Sequence, residues 1–269
     1  MSQIEVGLSM LFCLGEPFSS LIKRLHRVDV QYVEIVDDCV HALNYRRVKI
    51  LRKLSETLGV RFTLHAPFAD INIASPNPSL RRFILRRLKR SILYAQQLGC
   101  QLWVFHPGLR TGVSFFYPGL DWRLNLDSVK ELLEFAELHG VEIAIENVPE
   151  PFPFLMKSVQ DFMRFYGDLG GKASVGLAFD IGHANLKRQI QEFINRFSNR
   201  IVHIHVSDND GVHDSHLGIG YGTINWGEVA KAIRKIGYKG IIMLESVEHV
   251  GESLQTLKKL FVFLITIFQ

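Results

Sequence analysis

The segment Ile201–Gly222 reads IVHIHVSDNDGVHDSHLGIGYG. It begins as a short, apolar, β-branched run that predicts a buried strand, and it continues as a loop rich in imidazole and carboxylate side chains. Such side chains are poor packing material but are common ligands of a metal cation. His205, Asp214 and His216 together therefore predict a metal site at the end of this strand.

His203 and His213 have a simpler interpretation. Either histidine taken alone is more typical of a polar side chain with a structural role than of a metal ligand. Because His203 alternates with His205 along the strand, we expect one of the two to face outward and the other to point into the inner face. Other strands must supply the rest of a metal site.

Short β-branched or aromatic runs recur along the whole chain, separated by amphipathic segments of helical period such as Leu126–His139 and Trp226–Ile236. Glycine follows several of these segments and would supply the left-handed residue that ends a helix. These glycines are Gly59, Gly99, Gly140 and Gly237. The predicted strands are Ile4–Leu8, Tyr32–Val36, Arg61–Leu64, Leu102–Phe105, Glu142–Ile145, Val175–Phe179, Ile201–Ile204 and Ile241–Leu244.

This repeated β-then-α order predicts an α/β fold, a single (β/α)8 TIM barrel. Parallel strands joined by right-handed helical crossovers close naturally into such a barrel. The length of 269 residues fits one barrel, and no Ser/Gly-rich linker interrupts the pattern. We therefore assign residues 1–269 to one domain.

Composition restricts the class of protein. The net charge of +4 is mild, whereas nucleic-acid binders usually concentrate basic residues on one face. Cys13, Cys39 and Cys100 form no CxxC pair, which favours a cytoplasmic protein over a disulfide framework or a thiolate zinc site. The N-terminus lacks the features of a signal peptide. The apolar tail FVFLITIF is far shorter than the roughly 20 residues that span a membrane, and we interpret it as the buried face of a last helix.

Possible metal ligands follow six consecutive predicted strands. In a barrel the carboxyl ends of the strands converge on one rim, where active sites are built. Imidazole and carboxylate without thiolate suit Zn²⁺, Mn²⁺, Fe²⁺ or Co²⁺. The residues at these strand ends are His65, His106, Glu146, Asp180, His205 and Glu245.

Up to three ions could be held at this rim. The side chains of four adjacent strands are sufficient for one site: Glu146, Asp180, His205 and Glu245. His65 and His106 could hold a second ion, with Glu146 as a bridge. A third site would use His183, on the first turn of the helix after strand six, with two residues of the strand-seven loop. These two residues are Asp214 and His216.

The motifs HAPF, FHPG, IEN, FDIGHAN, HVSD, DSHLGIGYG and LES occur in this order along the chain. Their order resembles the xylose-isomerase-like barrel superfamily, which includes sugar and sugar-phosphate isomerases or epimerases and the endonuclease IV family of DNA-repair enzymes. The epimerase branch implies one ion, with Glu146 and Glu245 also acting as acid and base. The endonuclease branch implies metal ligation by His65, His106, Glu146, Asp180, His183, His205, Asp214, His216 and Glu245.

The framework departs from both branches. The opening His-Val-Ser segment, the paired glycines and the Asn-Pro-Arg of the endonucleases are missing, and the chain reads YVEIVDD like the isomerases. Phe68 stands where the endonucleases usually carry Tyr. The window NDGVHDSH lacks the Arg that ketose epimerases carry shortly after the strand-seven His. The chain is therefore nearer to the isomerases by framework and nearer to the nucleases by ligand set.

Three further patterns are weaker. The basic run Arg81–Arg90 could grip phosphates, but its apolar residues recur at helical spacing and favour a solvated helix face. These apolar residues are Phe83, Ile84, Leu88 and Ile92. Gly218-x-Gly220-x-Gly222 is no dinucleotide fingerprint, and we expect it to let the backbone approach a metal-bound substrate. Aromatic residues around the loop after strand four could stack on a sugar or base, or pack that loop. They are Trp103, Phe115, Phe116, Tyr117 and Trp122.

Three functions are consistent with these observations. The first is a Zn²⁺- or Mn²⁺-dependent isomerase or epimerase of a small carbohydrate, a sugar or sugar phosphate, in which Glu146 and Glu245 move a proton on opposite faces of the substrate. The second is an endonuclease IV-like zinc phosphodiesterase acting at abasic sites in DNA. The third is a non-catalytic metal-binding barrel. We favour the first because the loops near the predicted rim are neutral or acidic.

Overall fold

The computed structural model describes residues 4–170 and 175–262 and contains a closed barrel of parallel strands. The strands are β1 (Glu5–Ser9), β2 (Tyr32–Val36), β3 (Arg61–His65), β4 (Leu102–Phe105), β5 (Glu142–Glu146), β6 (Gly176–Asp180), β7 (Ile201–Val206) and β8 (Ile241–Leu244). Each strand pairs with the next along the chain, and β8 pairs with β1 to close the barrel. The predicted (β/α)8 TIM barrel is confirmed.

Helices surround the barrel and connect its strands. They are α1 (Phe18–Leu25), α2 (Tyr45–Leu58), α3 (Pro78–Leu98), α4 (Leu120–Leu138), α5 (Val159–Leu169), α6 (Ile181–Leu186), α7 (Ile190–Arg196), α8 (Trp226–Lys235) and α9 (Val250–Phe261). Gly59 and Gly99 end α2 and α3 with φ of 68° and 72°, the left-handed conformation that glycine adopts without steric cost. Gly140 and Gly237 also have positive φ, as predicted.

The side chains of β5 alternate between the core under the helices and the interior of the barrel. Successive residues of a strand point to opposite faces. Ile143 and Ile145 belong to the large core between strands and helices, whereas Ala144 packs inside the barrel. Glu146 lies two residues after Ala144 and therefore on the same face of β5, so its carboxylate points into the barrel where the strand ends. The strand pattern thus directs this glutamate to the rim.

The aromatic residues near β4 do not line the rim cavity. Trp103 is fully buried and stacks on Phe105 with ring centroids 5.1 Å apart, while its indole N–H donates to Ser91. Trp122 is also buried, and it donates to Asp168. The remaining three are exposed: Phe115, Phe116 and Tyr117. Trp103 and Trp122 therefore pack within the protein, and stacking on a sugar or base stays a prediction for the three exposed rings.

Helix α3 carries most of the basic run on a solvated face, as predicted, with two differences. Phe83 is 62% exposed, because it lies one position before the buried stripe that includes Ile84 and Leu88. Arg87 turns toward the barrel and forms a bidentate ion pair with Asp37, with N–O distances of 2.7 and 2.9 Å. The loop after β2 is thereby fixed to α3.

Both ends of the chain extend beyond the described residues. No described helix combines the length and apolar character needed to cross a membrane. Phe261 is the buried last residue of α9, but most of the tail FVFLITIF, residues 263–268, lies outside the described residues. The assignment of residues 1–269 to one domain stays a prediction.

Candidate metal centre

His203 and His205 both point into the barrel. Both side chains are fully buried, whereas Val202, between Ile201 and His203, is 41% exposed. The prediction that one of these histidines faces outward is wrong, because side chains alternate with a period of two and residues 203 and 205 share a face. Each imidazole faces the Glu34 carboxylate on β2, at 3.4 Å from His203 and 3.1 Å from His205.

The four residues predicted to form one site lie together at the rim. They are Glu146, Asp180, His205 and Glu245, and one ligand atom of each lies within 4.8 Å of the others. All four are buried. His205 Nδ1 lies 3.2 Å from Glu146 Oε1 and 3.6 Å from Glu245 Oε2. The spacing would allow these side chains to share one cation.

Glu146 also contacts the residues predicted for a second site. The Nε2 atoms of His65 and His106 each lie 3.2 Å from Glu146 Oε2. The two imidazole rings are perpendicular, with centroids 5.0 Å apart. The other carboxylate oxygen of Glu146 faces His205. The geometry therefore suits a carboxylate that bridges two neighbouring sites.

The turn after β6 orients His183. Asp180 is the N-cap residue of α6, where its Oδ1 accepts the backbone N–H of His183 at 2.6 Å. The ring Nδ1 of His183 lies 2.7 Å from the carbonyl oxygen of Asn147, and a proton on Nδ1 would donate to it. The ring Nε2 atom then faces Asp214 Oδ2 at 3.4 Å. His183 is buried on the first helical turn, where the sequence predicts it.

The loop after β7 completes the third group. His216 Nε2 lies 3.5 Å from Asp214 Oδ2, the same oxygen that faces His183. The other ring nitrogen of His216 lies 3.0 Å from the carbonyl oxygen of Glu245. His216 has a φ of 46°, which is uncommon for a residue other than glycine. All predicted ligands therefore lie in three neighbouring groups at one rim.

The donor set fits divalent cations. Within the described parts of the chain, the buried atoms Asp180 Oδ2 and Asp214 Oδ1 have no hydrogen-bond partner. A buried polar atom without a partner is costly, and a cation in each of the two groups would satisfy them. Imidazole and carboxylate donors together are typical of Zn²⁺, Mn²⁺, Fe²⁺ and Co²⁺ sites.

The carboxylates change the protonation of the groups around them. Burial lowers the pKa values of His65 and His216, but Glu146 beside the first and Asp214 beside the second more than compensate and raise both pKa values to about 9. Burial raises the pKa of Glu245 to about 7, and the negative charge of Glu146 adds to this effect. Without a metal, the rim therefore holds protons at neutral pH.

A cavity of about 490 Å³ opens above the clusters. Its polar lining residues are His65, His106, Glu146, His183, Asp214, His216 and Glu245. Its walls are mainly apolar: Leu11, Leu14, Val36, Phe68, Pro149, Phe152, Phe154 and Val247. Among the described residues that line the cavity there is no Lys or Arg. The cavity thus combines one polar end with apolar sides.

The glycines of Gly218-x-Gly220-x-Gly222 do not line this cavity. A Cβ atom on Gly222 would lie 2.2 Å from the carbonyl oxygen of Asn209, and one on Gly218 would lie 2.7 Å from Cβ of His249. These contacts show that Gly218 and Gly222 let the β7 loop pack closely against the protein, whereas Gly220 has a φ of 90° and no such neighbour. The prediction that they let the backbone approach a substrate is wrong.

Residues 22–260 match the family described as xylose isomerase-like TIM barrel. The chain belongs to this family. A solved structure described as a D-tagatose 3-epimerase-like protein superposes on this chain with a TM-score of 0.89 and 31% sequence identity, covering 95% of this chain and 96% of that chain. The predicted superfamily is confirmed.

Proteins that are similar to this chain in sequence have different descriptions. The uncharacterized protein MJ1311 of Methanocaldococcus jannaschii is 32% identical, over 90% of this chain and 84% of the relative. The D-psicose 3-epimerase of Ruminiclostridium cellulolyticum is 24% identical, over 86% and 78%. A probable endonuclease 4 of Acholeplasma laidlawii is 23% identical, over 70% and 68%. Both branches expected from the motifs are thus represented.

Two polar residues lie beside the site although the sequence patterns do not indicate them as part of it. Asn147 connects the ends of β5 and β6: its side chain donates to the carbonyl oxygen of Asp180 and accepts the Asp180 N–H, both at 2.8 Å. Glu34 lies deeper in the barrel, facing His203 and His205. The only signal for Glu34 is a charged residue in an otherwise apolar strand, YVEIV.

Proposed function

We propose that the protein is a divalent-metal-dependent isomerase or epimerase of a small sugar. The observation that supports this most directly is the pair Glu146 and Glu245, which line one cavity and are buried in a cluster with Asp180 and His205. The similarity to proteins described as D-psicose 3-epimerase and D-tagatose 3-epimerase-like agrees with it.

The two glutamates would carry the proton transfer. Glu146 and Glu245 come from the first and last strands of the four that supply the cluster, so a sugar carbon between them could be approached from both sides. One carboxylate removes a proton from the carbon next to the carbonyl, and the other returns a proton. A divalent ion held by Glu146, Asp180, His205 and Glu245 would polarise the substrate oxygens.

The apolar walls have a separate role in this proposal. Phe68, Phe152 and Phe154 would exclude water from the reacting end of the sugar, which strengthens electrostatic interactions there. A phosphate group would find no Lys or Arg among the described lining residues. We therefore favour an unphosphorylated sugar over a sugar phosphate.

One observation favours a second function. The groups at the rim together include every ligand of the endonuclease IV pattern, and Glu146 is placed to bridge two of them. A phosphodiesterase that acts at abasic DNA would use such a set. Steady binding of a long polyanion, however, needs basic residues that contact several phosphates, and the described cavity wall supplies none.

The two functions differ in the bond that is changed, so one set of assays separates them. Protein loaded with Mn²⁺ or Zn²⁺ is incubated in D₂O with a panel of ketoses and ketose phosphates, and deuterium next to the carbonyl carbon is measured by NMR. A fluorescent duplex with an abasic site is tested in parallel. The metal-free protein and Glu146→Gln are the controls.

We expect metal-dependent deuterium incorporation into at least one ketose and no useful cleavage of the duplex. Efficient cleavage that is lost in Glu146→Gln would replace the proposal with the phosphodiesterase. Metal binding without either reaction would favour a non-catalytic barrel.

A further inference from the structure

The barrel interior holds a carboxylate that the proposed reaction does not use. Glu34, on β2, is completely buried. Thr63 on β3 donates its hydroxyl to Glu34 Oε2 at 3.1 Å. A buried charge is costly unless it is paired and hydrogen-bonded, so the other groups around Glu34 indicate why it is there.

Each oxygen of Glu34 faces an imidazole of β7. His205 Nε2 lies 3.1 Å from Oε1, and His203 Nε2 lies 3.4 Å from Oε2. The opposite nitrogen of His205, Nδ1, faces Glu146 and Glu245. The His205 ring therefore lies between Glu34 on one side and the candidate metal cluster on the other.

We propose that Glu34 is a positioning residue that fixes the tautomer and orientation of His205. The buried atoms Glu34 Oε1 and His205 Nε2 lie 3.1 Å apart without an aligned hydrogen bond to each other or to another described residue. With a cation bound at Nδ1, Glu34 would accept the proton on Nε2, and the lone pair of Nδ1 would be directed toward the cluster. A neutral imidazole has one donor and one acceptor nitrogen, and a carboxylate on the donor side both orients the ring and increases its basicity as a metal ligand. This role rests on the proposed function only in taking His205 as a metal ligand.

His203 contacts the second oxygen of the Glu34 carboxylate. Its ring is perpendicular to that of His205, with centroids 4.9 Å apart, so the two imidazoles reach different oxygens of one carboxylate. The hydrogen bond from the Thr63 hydroxyl and the 3.4 Å contact with His203 keep Glu34 in the rotamer that reaches His205. The same three side chains could instead take a cation of their own, but Nε2 of His205 would then carry no proton.

The first test measures metal affinity in the full-length protein. Co²⁺ is titrated into metal-free wild type, Glu34→Gln and the control Tyr32→Phe, and the visible absorption of Co²⁺ reports both affinity and geometry. Gln has nearly the volume of Glu but no charge. Tyr32 lies at the start of the same strand, and its hydroxyl accepts a hydrogen bond from Arg61. Circular dichroism verifies that each variant is folded.

For Glu34→Gln we expect Co²⁺ binding to weaken by about 10- to 100-fold and the absorption bands to change. Tyr32→Phe should bind as wild type does. Wild-type affinity and spectrum in a folded Glu34→Gln variant would overturn the proposal.

The second test observes the proton directly. In Zn²⁺-loaded protein labelled with ¹⁵N-histidine, two-bond ¹H–¹⁵N correlations identify which ring nitrogen carries the proton, and His203→Asn identifies the His203 signals by their loss. We expect His205 to be protonated on Nε2 and unprotonated on Nδ1. Protonation on Nδ1, or no proton on either nitrogen, would overturn the proposal.

Neither test requires a substrate. A protein that binds Co²⁺ tightly through His205 but exchanges no sugar proton would refute the proposed function and leave the role of Glu34 intact. Sugar turnover by the wild type, together with unchanged metal affinity in Glu34→Gln, would support the proposed function and refute the role of Glu34.

Discussion

At the scale of single residues, protons and metal ions compete for the same ring nitrogens. In the metal-free protein the pKa values of His65 and His216 are about 9, above the ordinary value of about 6.5. A histidine whose pKa is raised by folding stabilises the protein fully below pH 6.5, and this contribution is lost as the pH rises toward 9.

We therefore predict that metal-free protein loses stability between pH 6.5 and pH 9, measured by urea unfolding at fixed salt. Zn²⁺ should reverse the trend, because its binding displaces these protons and becomes tighter as the pH rises. His216→Asn should reduce the loss of stability, whereas His213→Asn, at an exposed position of the same loop, should not. An equal loss in both variants would contradict this explanation.

Glu146→Gln tests the proposed acid–base role. The amide has almost the same shape, so the barrel should remain folded, but it can neither accept the proton nor give a full charge to a cation. We expect turnover of the sugar identified by deuterium exchange to fall by about 10²- to 10⁴-fold. Steady-state kinetics at saturating metal gives the comparison, and turnover at the wild-type rate would exclude the mechanism.

At the scale of structural elements, the loop after β2 depends on one ion pair. Asp37 is completely buried, and its partner Arg87 reaches it from α3. Asp37 also accepts the backbone N–H of Leu43. Removing the arginine alone would leave a buried carboxylate without its counter-charge.

Arg87→Met should lower the free energy of unfolding by about 3 kcal/mol, toward the lower end for a broken buried pair because Arg87 is partly exposed. Denaturant unfolding at neutral pH measures the change. The double variant Asp37→Asn, Arg87→Met should recover part of the loss, since the uncompensated charge is gone. A neighbouring variant, Arg86→Met on the exposed face, serves as the control.

The elements themselves could be predicted closely from local sequence. All eight predicted strands overlap the observed ones, and glycine at the helix ends has positive φ, because side-chain periodicity and glycine geometry are local properties. Phe152 and Phe154 could not be assigned to the cavity wall, since a loop of the chain must first fold over the rim. The shared orientation of His203 and His205 was predictable from strand parity.

At the scale of the whole molecule, the distribution of charge restricts the substrate. The basic residues of α3 lie outside the barrel, and the described cavity wall has no cationic side chain. We predict that deuterium exchange into a neutral ketose exceeds that into the matching ketose phosphate by at least tenfold in kcat/KM. A faster reaction with the phosphate would show that a cationic group outside the described cavity wall recognises it.

The carboxylate of Glu146 faces two neighbours at once, with Oε1 toward His205 and Oε2 toward His65 and His106. A single carboxylate that is shared between two cations donates less negative charge to each of them. An ion between His65 and His106 would withdraw charge from the base that the proposed reaction needs. Turnover should therefore rise and then fall as Zn²⁺ is added, and the protein would be inhibited by an excess of its own activator.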